Sequence, residues 1–401
     1  MMMHKINRIM FSAASVFAVL ALFSAMISCN QDSIFADIAV EPPKVNPRIE
    51  GSPTSLVVWD SKIYVASVNS KKIHIYSDGS WSSMSVPGRI AALAATDAGG
   101  EFFALMTDGD LAKSSLRKYN AGDWEVIAKG GAEPYSLQSI YGAGGRLFTG
   151  IQKDKNNWDI YYEDGGALTL LVEDTAALSG AAWDGTYFYI ATNGKGIYRG
   201  DDLSSFPDTP VDGSEGTVMG IMNVNGIITA VTYNGKILVY NILESKFEII
   251  SSASDYTYTG AMSIWKECIA LDPLADPVIY EWKDSLLLLG VNNTGSYNKG
   301  YRELTLDLLG QPPVDPLVNH AAVVPGSEHS SVKPGDKNKY EASLARYSVH
   351  DILQVPEITD NYPVDESLDY VDPLDWQPVI FASTEMNGVY ALKNGRWNAQ
   401  D

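Results

Sequence analysis

The sequence predicts an all-β chain built from a repeated four-stranded unit, and three observations carry that reading. Apolar segments of about 4–8 residues, rich in Tyr, Phe, Ile and Val, recur between Gly, Asp and Asn turns. They come back in groups with a period of roughly 35–45 residues, which points to a repeat architecture. Aromatic–glycine–tryptophan stretches mark the groups: YSDGSW at Tyr76–Trp81, YNAGDW at Tyr119–Trp124 and NGRW at Asn394–Trp397. Helical periodicity is nearly absent after the first 29 residues. With 401 residues and 45% hydrophobic content, the chain can bury a sizeable core.

Five units read clearly. The first is SLVVWDSKIYVAS followed by IHIYSDGSWSSMSV, from Ser55. The second is RIAALAATDAGGEFFALMT with LRKYNAGDWEVIA. The third is SLQSIYGAGGRLFTGIQ with WDIYYEDGGALTLLV. The fourth is LSGAAWDGTYFYIATN with GKGIYRGDDLSSF, and the fifth is VMGIMNVNGIITAVT with YNGKILVYNILESKFEII. In each, a short strand reaches a turn holding Asp, Gly or Asn and a second strand follows. A polar loop leads to a third strand ending near Tyr, and a glycine turn leads to a fourth. Two further units are blurred. EWKDSLLLLGVNN (281–293) echoes WDSKIYVASVN of the first unit, and a third strand starts at Tyr301. PVIFASTEMNGVYALKNGRWN closes the last unit, whose first strand lies in SLARYSVHDILQV.

Four antiparallel strands per repeat resemble the blades of a β-propeller. Such a unit cannot bury both faces alone and does so by packing on its neighbours in a ring. The expected fold is therefore all-β, a β-propeller of about seven four-stranded blades over residues 52–401, with six blades as the alternative. The turns between third and fourth strands need residues that tolerate positive φ, which assigns structural roles to Gly79, Gly122 and Gly395. Trp81, Trp124 and Trp397 are expected to start the fourth strands and pack on the next blade. YSDGSW has the residue types of the sialidase Asp-box, S-x-D-x-G-x-x-W, without its spacing. Trp59-Asp60 and Trp183-Asp184 follow first strands, unlike the pairs of tryptophan–aspartate repeat proteins.

The N-terminus is an address. His4, Lys5 and Arg8 precede an uncharged run, Ile9 to Ile27, and Ser28-Cys29 follow. This resembles the lipobox of bacterial lipoprotein precursors, although Met26 stands where that family favours Leu. The resemblance implies cleavage of a signal peptide, residues 1–28, between Ser28 and Cys29, and acylation of Cys29 as a palmitate-bearing membrane anchor. An uncleaved membrane helix is the alternative, since the run is about 19 residues, a borderline span. Residues 29–51, with Pro42, Pro43 and Pro47, read as a tether. Asn30 favours the outer membrane over the inner one.

In an up-and-down blade, successive connections leave from opposite ends. The turns joining strands one to two and three to four share a face, here termed the hairpin face. Those joining strands two to three, and blade to blade, share the return face. Short turns with Asp60, Asp184, Gly79 and Gly395 are expected on the hairpin face. Longer polar loops at 108–115, 153–159 and 292–300 are expected on the return face, with an insert at about 310–345. A second insert at about 357–377 carries seven carboxylates from Glu357 to Asp375 and no base. Variable loops on a rigid scaffold build binding sites, so the return face and the adjoining channel mouth are the expected working surface.

Chemical signatures are missing. Cys268 is the cysteine left after Cys29 and reads as a small core residue, so no disulfide framework or thiolate zinc site exists. His74, His320, His329 and His350 form no HExxH or comparable metal pattern, and no EF-hand loop accompanies the acidic insert. There is no nucleophile elbow, P-loop or dinucleotide fingerprint. The net charge of −20 disfavours nucleic acid and anionic lipid headgroups. The sequence therefore implies neither a cofactor nor an enzyme. It looks like the propeller lipoproteins of bacterial envelopes, one of which is the scaffold subunit of the outer-membrane β-barrel assembly machinery. That resemblance of architecture implies a membrane-anchored scaffold that binds other envelope proteins. The alternatives are a surface adhesin or receptor for a host protein or glycan, for which Asp255–Gly260 (DYTYTG) would stack sugars, and a propeller hydrolase or lyase with channel-mouth carboxylates.

Overall fold

Glycine and Asx turns cut the chain into short antiparallel hairpins, and the sheets they form stand in seven groups. A computed structural model describes residues 49, 52–77, 80–97, 100–107, 114–129, 136–224, 226–253, 256–272, 279–292, 300–304, 306–309, 320–323, 329–330, 344, 347–354, 380–385, 388–393 and 396–399. The predicted signal segment with Ser28 and Cys29, most of the tether, and Gly79 and Gly395 lie outside these residues.

Blade one is β1 (Pro53–Trp59), β2 (Lys62–Ser67), β3 (Lys72–Ser77) and β4 (Ser80–Ser85). Blade two is β5 (Arg89–Ala95), β6 (Phe102–Thr107), β7 (Ser115–Asn120) and β8 (Asp123–Lys129). Blade three is β9 (Ser136–Ala143), β10 (Arg146–Gln152), β11 (Trp158–Asp164) and β12 (Ala167–Thr175). Blade four has β13 (Ala177–Trp183), β14 (Phe188–Asn193) and β15 (Gly196–Gly200). Blade five is β16 (Val218–Val224), β17 (Ile227–Thr232), β18 (Lys236–Asn241) and β19 (Lys246–Ser252). Blade six holds β20 (Tyr258–Asp272), β21 (Ile279–Val291) and β22 (Gly300–Leu304). A ribbon follows, β23 (Leu306–Leu309) with β24 (His320–Val323), and β25 (His329–Ser330) pairs on β22. Blade seven is β26 (Val349–Gln354), β27 (Ile380–Thr384), β28 (Gly388–Lys393) and β29 (Arg396–Ala399).

The protein is thus a seven-bladed all-β propeller, and the six-blade alternative falls. The first strands β1, β5, β9, β13, β16, β20 and β26 each touch the next, and β26 returns to β1. An apolar cluster fills each junction between blades. At the closure, Ile49, Leu56, Ile63, Val65 and Tyr76 pack on Phe381, Val389 and Ala391. Between blades one and two, Tyr64, Ala66 and Ile73 meet Ile90, Phe102, Ala104 and Trp124. Second strands lie between two such junctions, so β2 and β6 are buried on both faces and read as continuous apolar runs. The outer strand β4 is mostly exposed. Ile49 is 1% exposed and packs within the closing cluster.

Blade four departs from the repeat. A 3₁₀ turn (Leu203–Ser205), capped by the Asp202 side chain, follows β15 instead of a strand. The chain then covers the edge of β15: Val211 N–H donates to Ile197 O at 2.8 Å, and Ser214 Oγ accepts from Ile197 N at 3.0 Å. Phe206 and Pro207 sit against Gly200. An edge strand that would otherwise offer free backbone groups is closed off.

The larger correction concerns the faces. β20 and β21 run 15 and 13 residues, about twice the length of other strands, and pair through to Asp272↔Ile279. That hairpin extends beyond the ring on the hairpin face. The connection 305–328 joins the third strand of blade six to its fourth, because His329–Ser330 pairs with Arg302–Glu303. It too belongs to the hairpin face, not to a blade-to-blade loop, and it contains β24, which touches β18 and β19. The β20–β21 hairpin and the β23–β24 ribbon therefore belong to the hairpin face of blade six, and the predicted insert at 357–377 lies outside the described residues. The return face keeps several short connections, among them 68–71, 194–195 and 233–235.

Candidate functional site: the central channel

Each first strand carries a β-bulge near its start, where the register against its partner slips: at Pro53/Ser55 in β1, Ile90/Ala92 in β5, Val218/Gly220 in β16 and Val349/Asp351 in β26, with equivalents in β9, β13 and β20. A bulge bends the strand and re-aims the side chains beside it. Here those side chains tie one blade to the next around the channel. Ser55 Oγ accepts from Leu93 N–H at 3.1 Å. Ser139 Oγ donates to Leu178 O at 3.1 Å, Ser179 Oγ to Val218 O at 2.7 Å and Thr259 Oγ1 to Val349 O at 2.6 Å. Where no hydroxyl reaches across, backbones touch. A Cβ on Gly142 would lie 1.8 Å from Ala95 O, and one on Gly220 would lie 2.2 Å from Gly260 O.

The last junction is closed by a carboxylate. Asp351 Oδ2 accepts the Leu56 N–H at 2.7 Å, across 295 residues of sequence, and Oδ1 accepts the N–H of Ile352 at 2.9 Å. Asp351 occupies in blade seven the place that Ser55 holds in blade one. Each follows the bulge, and each accepts from the amide two residues past the next blade's bulge. Blades one and seven exchange no strand, so the ends of the domain meet through this bond and the closing apolar cluster.

The first strands enclose a cavity of ≈ 560 Å³. Its wall includes the apolar Val57, Leu93, Met222 and Met262 and the polar Asp97, Gln138, Tyr141 and Asp351. Burial pushes the Asp351 carboxyl up to about 7, against the pull of its two backbone N–H donors. The Tyr141 phenol is pushed up to about 12, first by burial and then by the negative charge of Asp351. Tyr141 is 36% exposed and lines this cavity.

The predicted structural residues fall as follows. Gly122 has φ +98 and follows Ala121 at +50, a turn of two left-handed residues between β7 and β8. Trp124 pairs with Tyr119 across that hairpin, and Trp81 pairs with Tyr76 in blade one. Both tryptophans face the preceding blade, not the next. Trp81 meets Phe381 of blade seven at 5.9 Å between ring centroids, and Trp124 joins the cluster shared with blade one. The face they share with their paired tyrosines is the one turned backward around the ring. Trp397 sits in β29 opposite Leu392.

The return-face loop KDKNNWD is a self-contained turn. Asp154 Oδ1 accepts from Asn156 and Asn157 N–H, which holds its carboxyl below the usual range. Asp159, Glu173 and Asp174 bring oxygens within 4.8 Å of one another, but the Lys153 ammonium stands among them at 3.1–3.3 Å. Their charge is met by a lysine. His320 and His329, read as insert residues, lie in β24 and β25. Sequence reasoning missed Asp351, Tyr141 and Asp97. Aligning VHDILQ with PTSLVV would have placed a carboxylate where blade one has Ser55.

No protein-family model matches the chain, and no curated protein matches it. Among solved structures it is similar to one described as "YCF48 bound to D1 peptide", with a TM-score of 0.50 and 11% identity, over 86% of this chain and 93% of that one. It also matches a chain of "Crystal Structure of Mitotic Checkpoint Complex", with a TM-score of 0.44 and 10% identity, over 67% of this chain and 80% of that one. At such identity the first likeness speaks to fold, and it agrees with the propeller.

Proposed function

We propose that the protein is an acylated lipoprotein of the bacterial envelope, favouring the outer membrane, whose propeller is a scaffold for other envelope proteins. The observation that carries the scaffold reading is the elaboration of the ring at blade six. The extended β20–β21 hairpin and the β23–β24 ribbon both arise on its hairpin face. Additions gathered on one face of a rigid ring are how a scaffold presents a partner surface. The similar propeller described as bound to a peptide supports protein binding as the activity. The anchor rests on Ser28-Cys29 after an uncharged apolar run.

The test has two arms. Full-length protein is used to capture partners from detergent-solubilised envelope, beside a variant in which 266–285 is replaced by Asn-Gly. A specific partner lost with the hairpin is expected; a partner equally retained by the variant contradicts the placement of the surface. Separately, Cys29→Ala is expected to move the protein out of the membrane fraction. A variant that stays membrane-bound and uncleaved contradicts the acyl anchor.

A further inference from the structure

The channel cavity is about the size of a small-ligand site, within the usual range of about 300–1,000 Å³. Its lining holds two carboxylates, Asp97 and Asp351, and no Lys, Arg or His. Among the described residues, no cation pairs with either one. The carboxylate of Asp351 has spent one lone pair of each oxygen on Leu56 and Ile352 and retains acceptor capacity. Tyr141 of blade three lines the same channel and feels the Asp351 charge; its phenol can accept a hydrogen bond and its ring can face a cation. The thioethers of Met222 and Met262, from blades five and six, add with Val57 and Leu93 an adaptable apolar lining. Negative charge set in a cleft with low-dielectric walls focuses a field that draws cations.

We infer that the channel binds a single organic cation, an ammonium or guanidinium on a slender apolar stem, with its charge at Asp351 and its stem along the apolar lining. A divalent metal fits poorly. Calcium takes about 6–8 oxygens, and the described residues gather no three metal-ligating side chains here. The cation has two chemically equivalent sources, a free small amine or guanidine and a Lys or Arg side chain of a partner. The inference concerns the channel and stands apart from the scaffold reading, which concerns the hairpin face.

The experiment is calorimetric titration of the full chain at pH 8, where the Asp351 carboxyl is ionised, with n-butylammonium, n-butylguanidinium, capped Ala-Ala-Lys-Ala-Ala and n-butanol. Saturable binding of at least one cation, with none for butanol, is expected. Asp351→Asn keeps an acceptor for Leu56 and is expected to weaken binding at least 10-fold. Asp97→Asn, in an exposed turn outside the ring closure, is expected to weaken it about 3-fold and serves if the first variant folds poorly. Tighter binding of the peptide than of butylammonium identifies a protein side chain as the natural occupant; the reverse order identifies a small amine. Absence of heat from every cation, equal binding of butanol, or binding unchanged in both variants overturns the inference.

Discussion

Replacing Asp351 with Asn removes a charge from the ring closure while leaving an oxygen to accept the Leu56 N–H. The carboxyl stands at about 7 in the folded chain against an ordinary value of 3.8. At 1.36 kcal/mol per pH unit that difference is worth about 4 kcal/mol, and about half remains once solvent in the channel screens it. The sign follows from the raised value. The folded chain keeps this proton to higher pH than the unfolded chain, so the stabilising contribution is full below about pH 4. It is lost as pH rises to about 7 and stays lost above that. Asp351→Asn is therefore expected to match wild type near pH 4.5 and to exceed it at pH 8 by about 2 kcal/mol, or about 3 °C in Tm. Asp351→Ala behaves differently, because it strands the Leu56 N–H at a cost of about 1–3 kcal/mol. The assay is thermal unfolding followed by circular dichroism across pH 4.5–8, without added amines. Parallel pH profiles for wild type and Asp351→Asn, or equal stability of the Asn and Ala variants, would refute the reasoning.

Other perturbations probe the junctions. Gly220→Ala places a methyl 2.2 Å from Gly260 O and is expected to cost about 1–3 kcal/mol in denaturant unfolding, although this glycine needs no special φ. Phe381→Ala empties the fully buried contact with Tyr76 and Trp81 at the closure, an expected loss of about 3–5 kcal/mol by the same measurement. Trp59→Phe keeps the stack on Phe102 at 5.1 Å but loses the Nε1–H bond to Gly100 O, an expected loss of about 1 kcal/mol read from chemical denaturation.

The blades were legible where local chemistry punctuates them. Gly144-Gly145, Gly165-Gly166 and Ala121-Gly122 adopt left-handed turns, and strands of even length lie between them. Blade six was blurred because its first hairpin passes the edge of the ring without a turn signal. SIWKECIALD continues as strand, and the backbone of Cys268 pairs with that of Trp282 where other blades have already turned. Its fourth strand was hidden because two residues, His329–Ser330, do that work inside a stretch whose Pro, Ser and Gly content reads as loop. The channel was illegible for another reason. Its residues are scattered over the blades, and only the ring's closure brings Tyr141 and Asp351 to line one cavity. The backward packing of Trp81 and Trp124 depends on which side of a sheet faces which neighbour, a matter of handedness that spacing does not encode.

The central claim is a seven-bladed ring closed non-covalently where blade seven meets blade one. It is tested most directly by amide hydrogen exchange at Leu56 in wild type, Asp351→Asn and Asp351→Ala. The account predicts strong protection of Leu56 in wild type and the Asn variant. In the Ala variant it predicts faster exchange across Pro53–Trp59 and Ile380–Thr384, with blades two to five unchanged. Leu56 exchanging as fast as the surface turns in wild type, or remaining equally protected in the Ala variant, would contradict it.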